Sequence, residues 1–188
     1  MGKIYEALER TEREDVSHND ENKKREFSLF DRSSELVVMG RPGSVIAEKF
    51  RFLRSQIVRP ADKHVRRTIL ITSALQGEGK TFTASNLAVT LAQGMDEYVL
   101  LVDADLRFPR MHNVFGYDPS AYGLAEHLAE NMPLTDVLQK DDSLFEVPSG
   151  KLTILPAGQP TSNPHELLSS KRMHEFIVEV RDRYPDRF

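Results

Sequence analysis

Three short apolar runs, each bounded by polar residues, predict strands that are buried on both faces. They occupy residues 68–72, 98–102 and 152–155. Residues 82–93 lie between the first two runs, are rich in Ala and Leu, and predict a helix that ends at Gly94. This order of strand, loop, helix and strand is the βαβ unit of a parallel sheet. We therefore expect an α/β fold in which helices flank a parallel sheet.

Helical spacing of apolar residues predicts the remaining elements. A helix over 45–57 follows a turn and the N-cap residue Ser44, and shorter helices are expected at 123–130 and 134–139. A longer helix is expected at 166–183. The residues predicted to face the core are Ile46, Phe50, Leu53 and Ile57 in the first helix and Phe176, Ile177 and Val180 in the last.

The first 40 residues are mostly charged and polar, and such a stretch buries too little apolar surface to offset its ordering entropy. We predict a disordered segment over 1–40 and a folded domain over 41–188. Near its start, Ile4, Tyr5, Ala7 and Leu8 have helical spacing. This spacing is typical either of a frayed terminal helix or of a docking peptide for a partner, and the sequence leaves both open.

Composition narrows the classes of function. The chain has 188 residues, a formal net charge of -4 and no cysteine. A disulfide framework and thiolate metal sites are therefore excluded, and the charge provides no basic field for nucleic acid. No apolar run reaches the roughly 18 residues that a membrane-spanning helix needs. We expect a cytoplasmic location.

Residues 74–81, Ala-Leu-Gln-Gly-Glu-Gly-Lys-Thr, have the pattern of a phosphate-binding loop, with Ala in place of the usual first Gly. Gly77 and Gly79 let backbone N–H groups approach the phosphates of ATP closely. The helix that follows directs its N-terminus, the positive end of its dipole, at the anion. Lys80 supplies a point charge and Thr81 a hydroxyl for Mg²⁺. The predicted ligand is therefore ATP with Mg²⁺.

Two carboxylates follow the second predicted strand, at Asp103 and Asp105, in the segment Asp-Ala-Asp-Leu-Arg. The C-terminal ends of parallel strands share one edge of a sheet, so we expect both side chains beside the phosphate-binding loop. There they can hold Mg²⁺, or one can accept a proton from an attacking hydroxyl. Arg107 can pair with either Asp or reach a phosphate.

Residues 72–81 and 101–107 together resemble the Walker A and Walker A′ motifs of the bacterial tyrosine kinases of exopolysaccharide and capsule biosynthesis, which belong to the ParA/MinD class of P-loop proteins. Residues 155–158 and 163–168 resemble the family's LPAG and NPxELL segments, and residues 123–128 its short helix after Walker A′. The resemblance covers roughly 44–188. It implies an ATP-dependent protein-tyrosine kinase that phosphorylates itself, with Lys80, Asp103 and Asp105 as catalytic residues. The residues that it assigns to the nucleotide are Gly77, Glu78, Gly79, Lys80, Thr81, Phe82 and Arg107, and those that it assigns to Mg²⁺ are Thr81, Asp103 and Asp105.

The resemblance also implies partners. Glu48, Arg51 and Arg54 match the family's ExxRxxR helix, which mediates contacts between subunits of a homo-oligomer. The beginning of the chain is similar to kinases of this family that work with a separate membrane protein, a polysaccharide chain-length or co-polymerase protein, as activator. We therefore expect a cytoplasmic protein that such a partner recruits to the inner face of the membrane.

Two departures from the family pattern keep alternatives open. The chain stops where the Walker B strand is expected to begin, and it has no C-terminal cluster of tyrosines. We expect a sheet that is incomplete at its C-terminus, with apolar surface exposed on Ile71, Leu101 and Ile154, and a chain that can be inactive. The alternatives are an ATPase switch of the ParA/MinD type and a non-catalytic interaction module. Against the switch, Leu75 stands where such ATPases usually carry a second lysine.

Overall fold

The computed structural model describes residues 35–58, 68–140, 147–148, 150–183 and 188. The expected helix at Ile4–Leu8 and the linker up to residue 34 lie outside the described residues. The helices are α1 (Val37–Gly40), α2 (Val45–Val58), α3 (Lys80–Ala92), α4 (Met111–Phe115), α5 (Leu124–Glu130), α6 (Leu134–Val137), α7 (Pro164–Leu168) and α8 (Lys171–Arg183). The strands are β1 (Val99–Val102), β2 (Gln139–Lys140) and β3 (Leu152–Leu155).

The sheet of the described residues has the order β1-β3-β2. β1 and β3 are parallel, with Val99 opposite Leu152 and Val102 opposite Leu155, and the two-residue β2 is antiparallel to β3. Both parallel strands therefore end at the same edge of the sheet. Two of the three predicted strands are confirmed; β3 is the central strand of the described sheet, β1 lies at its edge, and both are largely buried.

The first predicted strand is wrong. Residues 68–72 form no strand, and Leu70 is 83% exposed. The apolar run is there, but a strand also needs a hydrogen-bonding neighbour. One edge of β1 pairs with β3, and at the other edge Phe188 donates to the carbonyl of Tyr98 and accepts from the N–H of Leu100. Residues 68–72 therefore do not join β1.

Two apolar clusters hold the described residues together. The first packs α1, α2, α3 and α4 against β1 and β3, and the second packs α5, α6 and α8 near the ends of these strands. Leu101 and Ile154, which we expected to be exposed, are buried in the first cluster because helices cover the sheet. Ile71 is half-buried against the same cluster.

The folded part also includes residues that the sequence assigned to the disordered segment. Leu36 and Val38 are buried in the first cluster. Asn86 of α3, itself buried, fixes them there: its amide nitrogen donates to the carbonyl of Glu35 at 2.7 Å, and its oxygen accepts from the N–H of Val38 at 3.2 Å. Residues 35–40 therefore pack onto the helix that follows the phosphate-binding loop.

The two longer amphipathic helices are confirmed as helices but not in every detail. In α2, Phe50 is buried and Ile57 packs on the first cluster, as predicted, whereas Ile46 and Leu53 are exposed. Ala47, which was not predicted to face the core, is buried, and the ring of Phe50 packs on Phe82 of α3 with 6.1 Å between the ring centroids.

The predicted helix over 166–183 is two helices, because the hydroxyl of Ser170 accepts the N–H of Met173 and begins α8 as a new helix. Phe176 is buried and Val180 packs on the second cluster, as predicted. Ile177 is 46% exposed, because α8 packs on the second cluster through Met173, Phe176 and Val180. Among the described residues, no helix is both long and apolar enough to cross a bilayer.

Candidate active site

The phosphate-binding loop leads directly into α3. Gly77 and Gly79 have φ values of +85° and +90°, a region that favours glycine, and Gly79 is the N-cap of α3. The carboxylate of Glu78 accepts the backbone N–H of Leu75 at 3.0 Å, which closes the loop on itself. The fold thus presents a glycine-containing turn and a helix N-terminus to the same space, as the sequence predicted.

Lys80 and Thr81 occupy the first turn of α3 and are half-buried. The ammonium group of Lys80 donates to the hydroxyl of Ser73 at 3.1 Å, and Ser73 donates to the carbonyl of Leu75 at 2.9 Å. Ser73 therefore orients the lysine, a role that the sequence reasoning missed. The ring of Phe82 packs on Phe50, so only the backbone of Phe82 is available to an anion.

The predicted aspartate pair lies at the end of β1. Asp103 is the first residue after the strand and is only 7% exposed, whereas Asp105 is exposed. The backbone N–H of Asp105 donates to Oδ1 of Asp103 at 3.0 Å, and Oδ1 of Asp105 accepts the N–H of Phe108, also at 3.0 Å. The two acids are therefore adjacent but differ in environment, because the chain turns after β1 and ends the alternation of an extended strand.

Burial raises the pKa of Asp103 above its ordinary value. The negative charge of Asp105 raises this pKa further, and backbone N–H groups of Asp105 and Met111 oppose the rise. Burial, together with the charge of Asp103, also raises the pKa of Tyr117 well above its usual range. A buried carboxylate that favours its protonated form is a better proton acceptor than a solvated one, so Asp103 has the character of a general base.

The loop after β3 forms the other side of this edge. The first two N–H groups of α5 donate to the carbonyls of Pro156 and Ala157. The buried carboxylate of Glu126 accepts the N–H of Gly123 at 2.7 Å and that of Gln159 at 3.0 Å. Sequence reasoning missed Glu126, although its position three residues after the N-cap Gly123 is the signal of a capping box.

Arg107 extends from the aspartate segment to α7, where its guanidinium contacts Nε2 of His165 at 3.2 Å. It makes no ion pair with Asp103 or Asp105 among the described residues, and neither does Lys80. The predicted site residues thus fall into two groups. Asp103, Asp105 and Arg107 lie together at the ends of β1 and β3, and Lys80 and Thr81 lie at the start of α3.

The three residues matched to the oligomer helix have partners within the chain. Arg51 pairs with Glu48 and donates to the carbonyl of Pro42 at 2.7 Å. Arg54 donates to the carbonyl of Thr90 near the end of α3 at 3.3 Å. Arg51 and Glu48 remain on the exposed side of α2, whereas Arg54 also joins α2 to α3.

The chain is similar to tyrosine kinases in sequence and in structure. No family model matches the chain. The tyrosine-protein kinase YwqD of Bacillus subtilis is 37% identical over 153 residues, which are 79% of this chain and 60% of YwqD. The kinase domain of the Escherichia coli tyrosine kinase ETK superposes with a TM-score of 0.69 at 32% identity, over 81% of this chain and 56% of that domain. The VpsO kinase domain is 33% identical with a TM-score of 0.55, and the match spans 74% of this chain and 68% of that domain.

The chain belongs to the bacterial tyrosine kinase family. The similarity confirms the resemblance that the Walker A and Walker A′ motifs indicated, and with it the fold of a P-loop kinase domain. The chain nevertheless spans only about 60% of the length of YwqD.

Proposed function

We propose that this chain forms the nucleotide-binding part of an ATP-dependent protein-tyrosine kinase that regulates exopolysaccharide or capsule biosynthesis and export. The observation that carries the proposal is the buried Asp103 at the end of β1, in a chain whose phosphate-binding loop leads into the N-terminus of α3. A buried carboxylate beside a triphosphate site suits proton transfer from a hydroxyl. The names of the matched relatives favour tyrosine as the acceptor.

Lys80 and the backbone N–H groups of the loop are proposed to hold the β- and γ-phosphates of ATP. No group of three or more His, Asp or Glu side chains that suits a metal ion occurs in the part of the chain that the structure describes. Mg²⁺ needs no such group, because it usually binds one or two carboxylates together with water and substrate phosphates. The hard oxygen donors of Thr81, Asp103 and Asp105 fit that requirement. Bound Mg²⁺ would neutralise charge on the phosphates.

The proposed reaction transfers the γ-phosphoryl group of ATP to a tyrosine hydroxyl. The phenol oxygen attacks the γ-phosphorus, the bond from this phosphorus to the β,γ-bridging oxygen breaks, and ADP leaves. Asp103 accepts the phenol proton. Asp105 is less suited to that role, because its carboxylate is exposed and accepts the N–H of Phe108.

A nucleotide-binding measurement tests the proposal most directly. Lys80→Met removes the positive charge at the start of α3 and should weaken the binding of Mg²⁺-ATP in calorimetry by at least tenfold. Lys171→Met, which changes an exposed lysine in an ion pair on α8, is the matched control and should bind as the parent does. Equal affinities in all three proteins would refute the phosphate site, and with it the proposed kinase.

The partners and the location are also proposals. We propose that the chain forms a homo-oligomer through the face of α2 that carries Glu48 and Arg51, and that a membrane chain-length protein recruits it to the inner face of the membrane and activates it. Both follow from the match to the ExxRxxR helix and to the beginning of the chain. An exposed arginine that already pairs with a glutamate on the same helix can exchange that partner at a subunit interface at little net cost, because surface ion pairs contribute little.

A further inference from the structure

Residues 35–40, here called the N-terminal strap, join the first 34 residues of the chain to the folded domain. The strap includes α1 and contacts both α2 and α3. Its side chains Leu36 and Val38 are buried in the first apolar cluster. Among the described residues, the backbone hydrogen bonds that the strap makes apart from those to Asn86 stay within residues 36–41. The strap is therefore held to the domain by two apolar side chains and by the amide of Asn86.

The amide of Asn86 links the strap to the start of α3. Its oxygen accepts the N–H of Val38 at 3.2 Å, and its nitrogen donates to the carbonyl of Glu35 at 2.7 Å. The same nitrogen also donates to the carbonyl of Phe82 at 2.9 Å. An amide nitrogen has two hydrogens, so one serves the strap and the other serves α3. A single buried side chain thus ties the position of the strap to that of Phe82.

Phe82 belongs to the turn that is proposed to hold the nucleotide. It directly follows Lys80 and Thr81 in the first turn of α3, and its ring packs on Phe50 of α2. The first turn of a helix binds an anion through its free N–H groups. Donors that are already fixed in place bind more tightly, because less ordering is needed on binding. Asn86 and Phe50 fix this turn from two sides.

Detachment of the strap would loosen this turn. Asn86 would lose the carbonyl of Glu35 and the N–H of Val38 as partners, and water would reach the space that Leu36 fills. A buried amide without partners is costly, so the side chain would turn towards the water and release the carbonyl of Phe82. The residues that precede α3 form no strand with the described sheet, so the sheet does not hold this turn in place of the strap.

We propose that the N-terminal strap is a conformational switch for the nucleotide site: it has an attached and a detached state, and attachment of the strap and binding of Mg²⁺-ATP favour each other. The inference rests on the proposed function, because it requires ATP at the start of α3. Such coupling is reciprocal. The factor by which detachment weakens ATP is the factor by which bound ATP favours attachment.

A strap variant measures the first direction of the coupling. Leu36→Glu places a charge at a buried position of the strap, which detaches it without changing α3. It should weaken the binding of Mg²⁺-ATP in calorimetry by at least about fivefold. Leu36→Met keeps an apolar side chain of similar volume and should bind as the parent does. Val137→Ala, in the second cluster, lowers stability away from the strap and should leave the affinity unchanged.

Hydrogen exchange of the unmodified chain measures the second direction, and it needs no variant that might fail to fold. The N–H of Val38 reports detachment of the strap, and that of Val99, which donates to the carbonyl of Lys151 in the sheet, reports opening of the core. Without nucleotide, Val38 should be the less protected of the two. Saturating Mg²⁺-ATP should raise its protection by the factor that Leu36→Glu costs in affinity.

The outcomes separate the switch from the proposed function. If Leu36→Glu binds ATP as the parent does while Lys80→Met does not bind it, the switch is refuted and the nucleotide site stands. The switch is also refuted if Val137→Ala weakens ATP as much as Leu36→Glu does, or if Val38 and Val99 show equal protection with and without ATP. If Lys80→Met leaves ATP binding intact, the proposed kinase fails and the switch fails with it.

Discussion

Replacing Glu126 by Gln tests how the loop after β3 is held at the site. The carboxylate of Glu126 is 7% exposed and accepts two backbone N–H groups, those of Gly123 and Gln159. Gln has almost the same shape, so packing is retained. Its amide, however, offers one acceptor oxygen and turns an NH₂ group, a donor, towards the second N–H. The substitution therefore isolates hydrogen bonding from packing.

The magnitude follows from the two sites. Gly123 is buried, so its N–H keeps the amide oxygen as a partner, and exchanging a charged acceptor for a neutral one costs about 1 kcal/mol. Gln159 is exposed, so water replaces the lost acceptor, and the cost there is again about 1 kcal/mol. Together they lower the free energy of unfolding by about 2 kcal/mol, which corresponds to a fall in Tm of roughly 4–8 °C for a chain of this length.

The assay is thermal and urea unfolding followed by circular dichroism. Glu130→Gln is the matched control, because Glu130 lies on the same helix and is exposed, and it should stay within about 0.5 kcal/mol of the parent. If Glu126→Gln and Glu130→Gln prove equally stable, the two hydrogen bonds do not hold the loop, and the account of this side of the site is wrong.

Three further predictions concern the core, the buried acid and the oligomer. Asn86→Ala leaves the N–H of Val38 without an acceptor in the core and should cost about 2 kcal/mol or more in urea unfolding, whereas Asn113→Ala at an exposed position should not. Asp103→Asn should stabilise the chain by about 1 kcal/mol at pH 7 in the presence of EDTA. Since the pKa of Asp103 is raised in the folded state, the carboxyl group contributes most stability below its ordinary pKa of 3.8 and loses that contribution as pH rises through the raised value. The advantage of Asn should therefore vanish as the pH falls towards 3.8, and an advantage that is the same at every pH would contradict the assignment. Arg51→Ala should lower the mass in sedimentation if the exposed side of α2 joins subunits, and an unchanged mass would count against that interface.

The sequence predicted the surroundings of the two groups of site residues with different success: those of Asp103 correctly, and those of the phosphate-binding loop only in part. Asp103 could be placed because an apolar run ends one residue earlier, and strand β1 is buried between β3 and helices, as its composition demands. The run at 68–72 has the same composition and does not form a strand. An apolar composition predicts burial, but it does not specify which backbone groups are available as hydrogen-bonding partners for a strand.

Other features depended on contacts that no pattern specifies. Apolar spacing identified α2 but placed Ile46 and Leu53 on the buried face. The buried face instead includes Ala47, whose small side chain allows close packing. Glu126 was within reach of prediction, because its position relative to Gly123 follows a known rule for helix N-termini. Its second partner, Gln159, was not, because 33 residues separate the two and they meet through the packing of the α5 N-terminus on the loop after β3.

The fold therefore holds Asp103 more firmly than it holds the phosphate-binding loop, and this difference affects the proposed binding of nucleotide. Asp103 is anchored by the β1–β3 pair, since its own N–H donates to the carbonyl of Leu155 at 2.9 Å. The phosphate-binding loop is exposed, and the residues that precede it form no strand with the described sheet. If the proposed binding of ATP fixes this exposed loop further, part of its binding free energy goes into that ordering, and the affinity understates the contact energy at Lys80. It follows that changes which fix residues 68–73 in place should tighten ATP binding without touching it, whereas changes at Asp103 should alter phosphoryl transfer more than nucleotide affinity.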